Sequence, residues 1–128
     1  GAFAIIADEQ GRILLAHRTD RDAWNLPGGK VETGESPWDG VVREIWEEVD
    51  VRAAVDELVD VSFKPQTNEI VFTFRCHIIE GRPGLSDEAD VVDWFAWDAL
   101  PTTMVPRQAE RVRGAFEASD RCRLRVQE

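Results

Sequence analysis

Glu44, Glu47 and Glu48 stand at i, i+3 and i+4 in the segment Arg43-Glu-Ile-Trp-Glu-Glu-Val49. On a helix this spacing gathers the three carboxylates on one face about 100° wide. Like charges so placed repel by about 0.2–0.5 kcal/mol per pair in water, and by more once partly desolvated. Arg43 alone does not balance them. Hard divalent cations such as Mg²⁺ or Mn²⁺ take carboxylate oxygens and commonly share them with substrate phosphates. The spacing therefore points to metal-assisted chemistry on a phosphate compound, against the alternative of a solvated acidic helix face.

The elements that would position these acids are readable. Ser36-Pro37-Trp38-Asp39 offers an N-cap, a proline suited to the first turn and an acid three residues after the cap, so a helix is predicted over Pro37–Val49. Trp38, Val41, Val42, Ile45, Trp46 and Val49 form its apolar stripe, and packing of that stripe would aim the acids. Gly40 falls within the acidic sector, where a missing side chain would leave room for a ligand. Upstream, Trp24-Asn-Leu-Pro-Gly-Gly29 places bare backbone in a tight turn that a ligand can approach.

Ala2–Ala7 and Arg12–Arg18 read as strands of a hairpin around Asp8-Glu-Gln-Gly11. Short strands are predicted at Val51–Val55 and Leu58–Phe63, separated by Asp56-Glu57. In Ile70–Ile79 the residues Ile70, Phe72, Phe74, Cys76 and Ile78 alternate with Val71, Thr73, Arg75 and His77, giving one apolar face. A strand at Val91–Trp97, an amphipathic helix at Pro106–Ala118 and a last strand at Cys122–Val126 complete the chain. Strands before and after two helices predict an α/β (α+β) fold with a mixed sheet covered on both faces, in three layers.

Composition narrows the function. The 128 residues suit one domain spanning 1–128, and 43% apolar residues suffice for a core. The formal charge is −10. Residues 30–60 hold ten acids against Lys30, Arg43 and Arg52, a local balance of −7. Such a surface repels duplex nucleic acid, and a cation is the first partner expected. No apolar run approaches the roughly 18 residues of a membrane span and no basic leader is visible, so a soluble, cytoplasmic protein is expected. Cys76 and Cys122 lack metal-ligand spacing and are expected as buried thiols.

Gly29, Glu35, Arg43-Glu44-Ile45, Glu47-Glu48 and Val51 stand at the spacing G-x5-E-x7-R-E-U-x-E-E-x-G-U, where U is a bulky aliphatic. This resembles the Nudix box. The one departure is Asp50 in place of the last glycine, a helix C-terminal position that favours positive φ, which Asp tolerates better than most residues. Asp87–Phe95 followed by Leu100-Pro101 is similar to the family's late acidic loop and strand. The resemblance implies the Nudix α/β/α sandwich and hydrolysis of the pyrophosphate in a nucleoside diphosphate linked to another moiety.

By the same resemblance Glu44, Glu47 and Glu48 would bind Mg²⁺, or Mn²⁺ in its place, with a backbone carbonyl of Gly28 or Gly29. Glu35 and Arg43 would join loop to helix, Arg43 orienting a catalytic glutamate. The general base would be Glu44 or Glu88. Substrate contacts are expected from Arg18 and Lys30 to phosphate and from Trp24 and Asn25 to a base, with half-buried cover for Trp24, a turn role for Asn25 and charge balance for Arg18 and Lys30 as alternatives. Pro65 lies near the position where the family's ADP-ribose hydrolases carry a proline, although loop proline is also ordinary turn chemistry. The absence of tyrosine removes a mark of the dinucleoside polyphosphate hydrolases. Trp94, Phe95 and Trp97 are expected in the core, and His17 and His77 in structural or surface roles. ADP-ribose or a (d)NTP-type compound is the favoured substrate and a homodimer the expected assembly. The competing reading is a catalytically inactive Nudix-like domain that senses a nucleotide.

Overall fold

The computed structural model describes residues 1–117 and 121–128. Its elements are β1 (Ala2–Ile6), β2 (Arg12–Arg18), β3 (Trp24–Asn25), β4 (Gly28–Gly29), α1 (Pro37–Val49), β5 (Arg52–Lys64), β6 (Glu69–Glu80), β7 (Ala89–Ala96), α2 (Pro106–Glu117) and β8 (Arg123–Val126). One sheet has the order β4-β1-β6-β5-β8 and the other β3-β2-β7. β1 runs parallel to β6 and antiparallel to β4, while β5 is antiparallel to β6 and parallel to β8. The sheet is mixed, as expected.

β1 and β2 are apolar almost throughout because both their faces are covered. Ala2, Ala4, Ile6, Leu14 and Ala16 meet Val41, Ile45 and Val49 of α1. Ile5, Ile13 and Leu15 turn the other way, toward Ala109, Val112 and Ala115 of α2. The two cores make the three-layer α/β/α sandwich. Val41, Ile45 and Val49 have no exposed surface, and such burial contributes about 1.5–3 kcal/mol per side chain.

Several expectations are corrected. β1 and β2 do not form a hairpin ladder: beyond a tight turn and the isolated bridge Ala7↔Ile13, β1 pairs with β6 and β2 with β7. Two-sided apolar strands can each enter the middle of a sheet, so chain proximity does not decide their partners. The two short strands around Asp56-Glu57 are one strand, β5, with its register shifted between Val55 and Glu57 and between Leu58 and Asp60. Bases on β6 accommodate the two acids there, with His77 2.7 Å from Asp56 and Arg75 2.6 Å from Glu57.

The apolar stripe of α1 is narrower than expected, because Trp38 and Trp46 are 56% and 52% exposed. Along β6, Val71 and Thr73 are buried as well as Phe74 and Cys76, since the middle of the strand is covered on both sides. Ile70 is exposed and lies beyond the start of the β1 pairing at Phe72. Cys76 is buried, but Cys122 is exposed beside the edge strand β8. Trp94, Phe95 and Trp97 pack half-buried against the two cores. The predicted end of α2 at Ala118 lies outside the described residues.

α1 ends on Asp50 in the left-handed conformation (φ 60°, ψ 37°), its N–H donating to the Trp46 carbonyl. Glycine adopts this conformation without the steric cost of a Cβ. Relief of about 1–2 kcal/mol of left-handed strain, offset by about 0.5–1 kcal/mol of extra glycine entropy, leads Asp50→Gly to be expected to stabilise the fold, seen as a higher denaturant midpoint with unchanged slope. A lower midpoint would show that the Asp50 side chain contributes more than its backbone strain costs.

Candidate active site

Ser36 caps α1, its Oγ accepting from the Asp39 N–H at 3.0 Å, and Pro37 follows at the first position. With Val41, Ile45 and Val49 seated on the sheet, Glu44 and Glu48 turn toward β4. Glu44 lies directly against Gly29: a Cβ there would come within 2.8 Å of its carboxyl carbon. Gly28 is equally constrained, with φ 149° and a hypothetical Cβ 2.3 Å from the Ala2 carbonyl oxygen. The Gly-Gly pair thus admits a carboxylate on one side and strand β1 on the other. The Gly28 N–H donates to Glu48 Oε2 at 3.1 Å.

The third member of the site arrives from the loop before β7. Ser86 Oγ accepts from the N–H groups of Glu88 and Ala89 at 3.2 and 3.1 Å. The Thr19 hydroxyl donates to the Asp87 carbonyl at 3.2 Å, and His17 Nδ1 lies 2.8 Å from Asp90. These contacts fasten the loop and the start of β7 to β2 and its following turn. Hydrogen bonds to Asp22 and Asp90 raise the His17 pKa above its usual range. One carboxylate oxygen each from Glu44, Glu48 and Glu88 lies within 4.8 Å of the others.

The electrostatics of this cluster are unfavourable without a cation. Burial pushes the Glu48 pKa up to about 8, with Glu44 and Glu88 adding to the shift and the Gly28 N–H opposing it. Burial also raises Glu44, opposed by Arg43 and reinforced by Glu47 and Glu88. Three carboxyl groups so close do not all ionise readily unless positive charge joins them. Their oxygen-only donor set fits a hard divalent ion.

Arg43 serves the rim. Its Nε and Nη2 donate to the two oxygens of Glu35 at 2.8 and 3.0 Å, and Nη2 also donates to the Lys30 carbonyl at 3.0 Å. Nη1 reaches Glu44 and Glu47, each at 3.1 Å. The guanidinium, helped by the Glu32 N–H, holds the Glu35 carboxyl down at about 2. Glu47 is consequently outside the cluster, half-exposed and turned to Arg43. Gly40 also differs from expectation: a Cβ there would lie 2.9 Å from Glu35 Oε1, so the missing side chain makes room for Glu35 and not for a ligand.

Beside the acids opens a cavity of about 470 Å³, within the roughly 300–1,000 Å³ typical of small-molecule sites. It is lined by Gly28, Gly29, Glu48 and Glu88, by Arg18, Thr19 and Asp20, and by Phe3, Asn25, Leu26 and Gln108. Arg18 makes a two-pronged pair with Asp20 at 2.7 and 2.6 Å. Trp24 does not line the cavity. Its ring meets His17 and Phe95 edge-on at 5.1 and 4.9 Å and covers the α2-side core. Lys30 is exposed and also off the cavity wall, offering its carbonyl to Arg43.

Phe3, Thr19, Asp20, Leu26 and Gln108 were not legible as site residues. For Gln108 one signal exists: it shares the buried face of α2 with Ala109, Val112 and Ala115, and a polar residue on such a face needs a partner.

Residues 1–114 match the NUDIX domain family. The chain belongs to the Nudix family. This Nudix chain is 38% identical over 116 residues to a MutT-like protein of Streptomyces ambofaciens, covering 90% of this chain and 75% of that protein. It is 34% identical over 114 residues to a putative 8-oxo-dGTP diphosphatase of Bacillus subtilis, covering 88% and 76%. A crystal structure of a Nudix hydrolase from Nitrosomonas europaea superposes with a TM-score of 0.85 at 21% identity, over 98% of this chain and 76% of that one; at that identity the likeness shows the fold. Family membership makes this a Nudix pyrophosphohydrolase acting on nucleotide derivatives, and the acidic cavity is where the fold presents its Nudix box.

The Glu35 shift carries a pH dependence. Its folded value of about 2 lies below the unfolded 4.5, so the Arg43 pair stabilises fully above the unfolded value and loses its contribution as pH falls through the folded one. Urea midpoints of the native chain should drop more steeply between those two pH values than those of Glu35→Gln. Parallel pH profiles would show that the pair contributes nothing.

Proposed function

We propose that this Nudix chain, acting as a single unit over 1–128, hydrolyses the pyrophosphate linkage of a small nucleotide of the (d)NTP type with Mg²⁺, or Mn²⁺ in its place. The observation that carries this reading is the convergence of Glu44, Glu48 and Glu88 within 4.8 Å, with Glu48 and Glu88 on the wall of a cavity. These three carboxylates, joined by a carbonyl of Gly28 or Gly29, would hold the ion. Bound there, a divalent cation supplies neutralisation of phosphate oxygens and a water of lowered pKa.

The side chains have distinct tasks. Arg18, which lines the same cavity, exchanges Asp20 for a phosphate oxygen and so brings the anhydride toward the acids. Glu44 and Glu88 are the groups that can take the proton of the attacking water. Glu44 Oε1 already accepts from Arg43, which leaves the exposed Glu88 carboxylate the freer of the two. Glu47, turned to Arg43, screens that guanidinium and stays back from the reacting atoms. Water attacks phosphorus, the bridging oxygen leaves with the departing phosphate, and the proton goes to the glutamate.

The substrate class is supported by the cavity size and by the Bacillus subtilis relative, which bears the name of an 8-oxo-dGTP diphosphatase. Pro65 lies in the exposed turn between β5 and β6 and not on the cavity wall, so it acts as turn chemistry and gives ADP-ribose no structural support.

Glu48→Gln keeps the acceptor for the Gly28 N–H but removes the charge. Turnover should fall on the order of a hundredfold or more, while thermal stability without metal stays level or rises because a strained ionisation is removed. The check is phosphate release with Mg²⁺ or Mn²⁺ from dNTPs, oxidised dGTP, ADP-ribose and dinucleotides, beside melting curves. Activity like that of the native chain in the variant would remove Glu48 from the site. No turnover of any compound by the native chain would favour a nucleotide sensor.

A further inference from the structure

The strand that follows Glu88 is irregular where it enters the sheet. Along the β2–β7 ladder His17 pairs with Val91 and Arg18 with Ala89, so Asp90 stands opposite no residue and forms a β-bulge. A bulge bends its strand and re-aims the side chains beside it. Asp90 is the second residue of β7 and comes two residues after Glu88. The set of the bulge therefore governs the direction from which Glu88 approaches Glu44 and Glu48.

His17 holds that bulge by its side chain. Its Nδ1–H donates to Asp90 Oδ1 at 2.8 Å and its Nε2–H to Asp22 Oδ1 at 2.9 Å. Ionised carboxylates only accept, so both ring nitrogens carry hydrogen, and the ring that fits this geometry is the imidazolium. Its side chain is 20% exposed, and Trp24 covers it edge-on at 5.1 Å. Among the described residues, the charged groups facing the ring are Asp22 from the turn after β2 and Asp90 from β7, while β3 presents the uncharged Trp24. A neutral ring keeps at most one of the two bonds, and keeps it without charge assistance.

We infer that His17 is a positioning residue for the hydrolysis: as the imidazolium it pins the Asp90 bulge and so sets Glu88 against Glu44 and Glu48 for a shared divalent ion. This rests on the proposed hydrolysis and adds a pH-dependent support to its ligand set. His17 does not line the cavity, so it acts through Glu88. Asp22 and Asp90 raise the His17 pKa. The pin is therefore complete below the ordinary histidine value and weakens as pH rises through the folded one.

The test uses Mn²⁺ alone, its affinity read by electron paramagnetic resonance across pH, together with NMR titration of the two histidine rings. The signal missing from His17→Asn identifies His17, which should titrate above the ordinary value of about 6.5 in the native chain. Below its measured pKa, His17→Asn should bind Mn²⁺ on the order of tenfold more weakly than the native chain. That gap should close as pH rises through the same pKa; comparison at each pH cancels the ionisation of the carboxylates themselves. Asp22→Asn leaves the Asp90 bond in place and removes one of the charges that hold the proton. It should match the native chain at low pH and lose its advantage over His17→Asn at a lower pH.

Equal Mn²⁺ affinity in the native chain and His17→Asn, or a gap indifferent to pH, would overturn the positioning role and leave the hydrolytic reading standing. An Asp22→Asn profile identical to the native one, or a His17 ring titrating below the ordinary value, would overturn the imidazolium pin. A pH-dependent gap with no turnover of any nucleotide by the native chain would overturn the hydrolytic reading and keep the positioning of Glu88 at the ion. No Mn²⁺ binding by the native chain would overturn both.

Discussion

The guanidinium of Arg43 is the interaction on which the rest of the site depends, because it hydrogen-bonds three acids at once and lies within ion-pair reach of a fourth, Glu32. It clasps Glu35 with two bonds, touches Glu44 and Glu47, and takes the Lys30 carbonyl. The segment from Gly29 to Glu35 has little regular structure of its own, and Arg43 draws it onto the first turns of α1. One positive charge shared in this way still leaves Glu44 only partly balanced. The uncompensated charge is thus displaced inward, onto Glu44, Glu48 and Glu88, where a divalent ion is the natural counterpart.

Packing gives that charge its direction. Val41, Ile45 and Val49 have one way to lie on the sheet, and the helical period then sends Glu44 and Glu48 toward the glycine pair. The approach is so close that a methyl group at Gly29 would meet the Glu44 carboxyl. Gly40 plays the same part for Glu35. Small residues here admit carboxylates, and each carboxylate brought in without full compensation raises the need for the cation.

The cavity is assembled from segments with no common local pattern. β1 contributes Phe3, the end of β2 Arg18, the loop before β7 Glu88, and α2 Gln108. The loop that carries Glu88 is held by side chains of β2 and its turn, His17 and Thr19. The walls of the cavity therefore rest on different elements, joined through the short segment from Asn25 to Gly29.

Much of this was readable from residue order, where the physics is local. The cap at Ser36, the bounds of α1 and the clustering of Glu44 with Glu48 follow from residue types and helix periodicity, while the left-handed role of Asp50 and the linkage of Glu35 to Arg43 were implied by the resemblance to the Nudix box. The three-layer arrangement followed from the order of the elements, strands before and after two helices. What depended on distant chain segments was decided only by the tertiary structure. β1 and β2 chose partners in different sheets, Glu88 and not Glu47 completed the cluster, Trp24 became cover for a core, and Gln108 entered the cavity from the far helix. A helix wheel shows which acids share a face, but which of them is drawn away by a neighbouring arginine depends on where that arginine's other partners lie in space. The sequence alone determined a helix with acids and a glycine turn to meet it; the folded chain decided which acids converge and what stands opposite them.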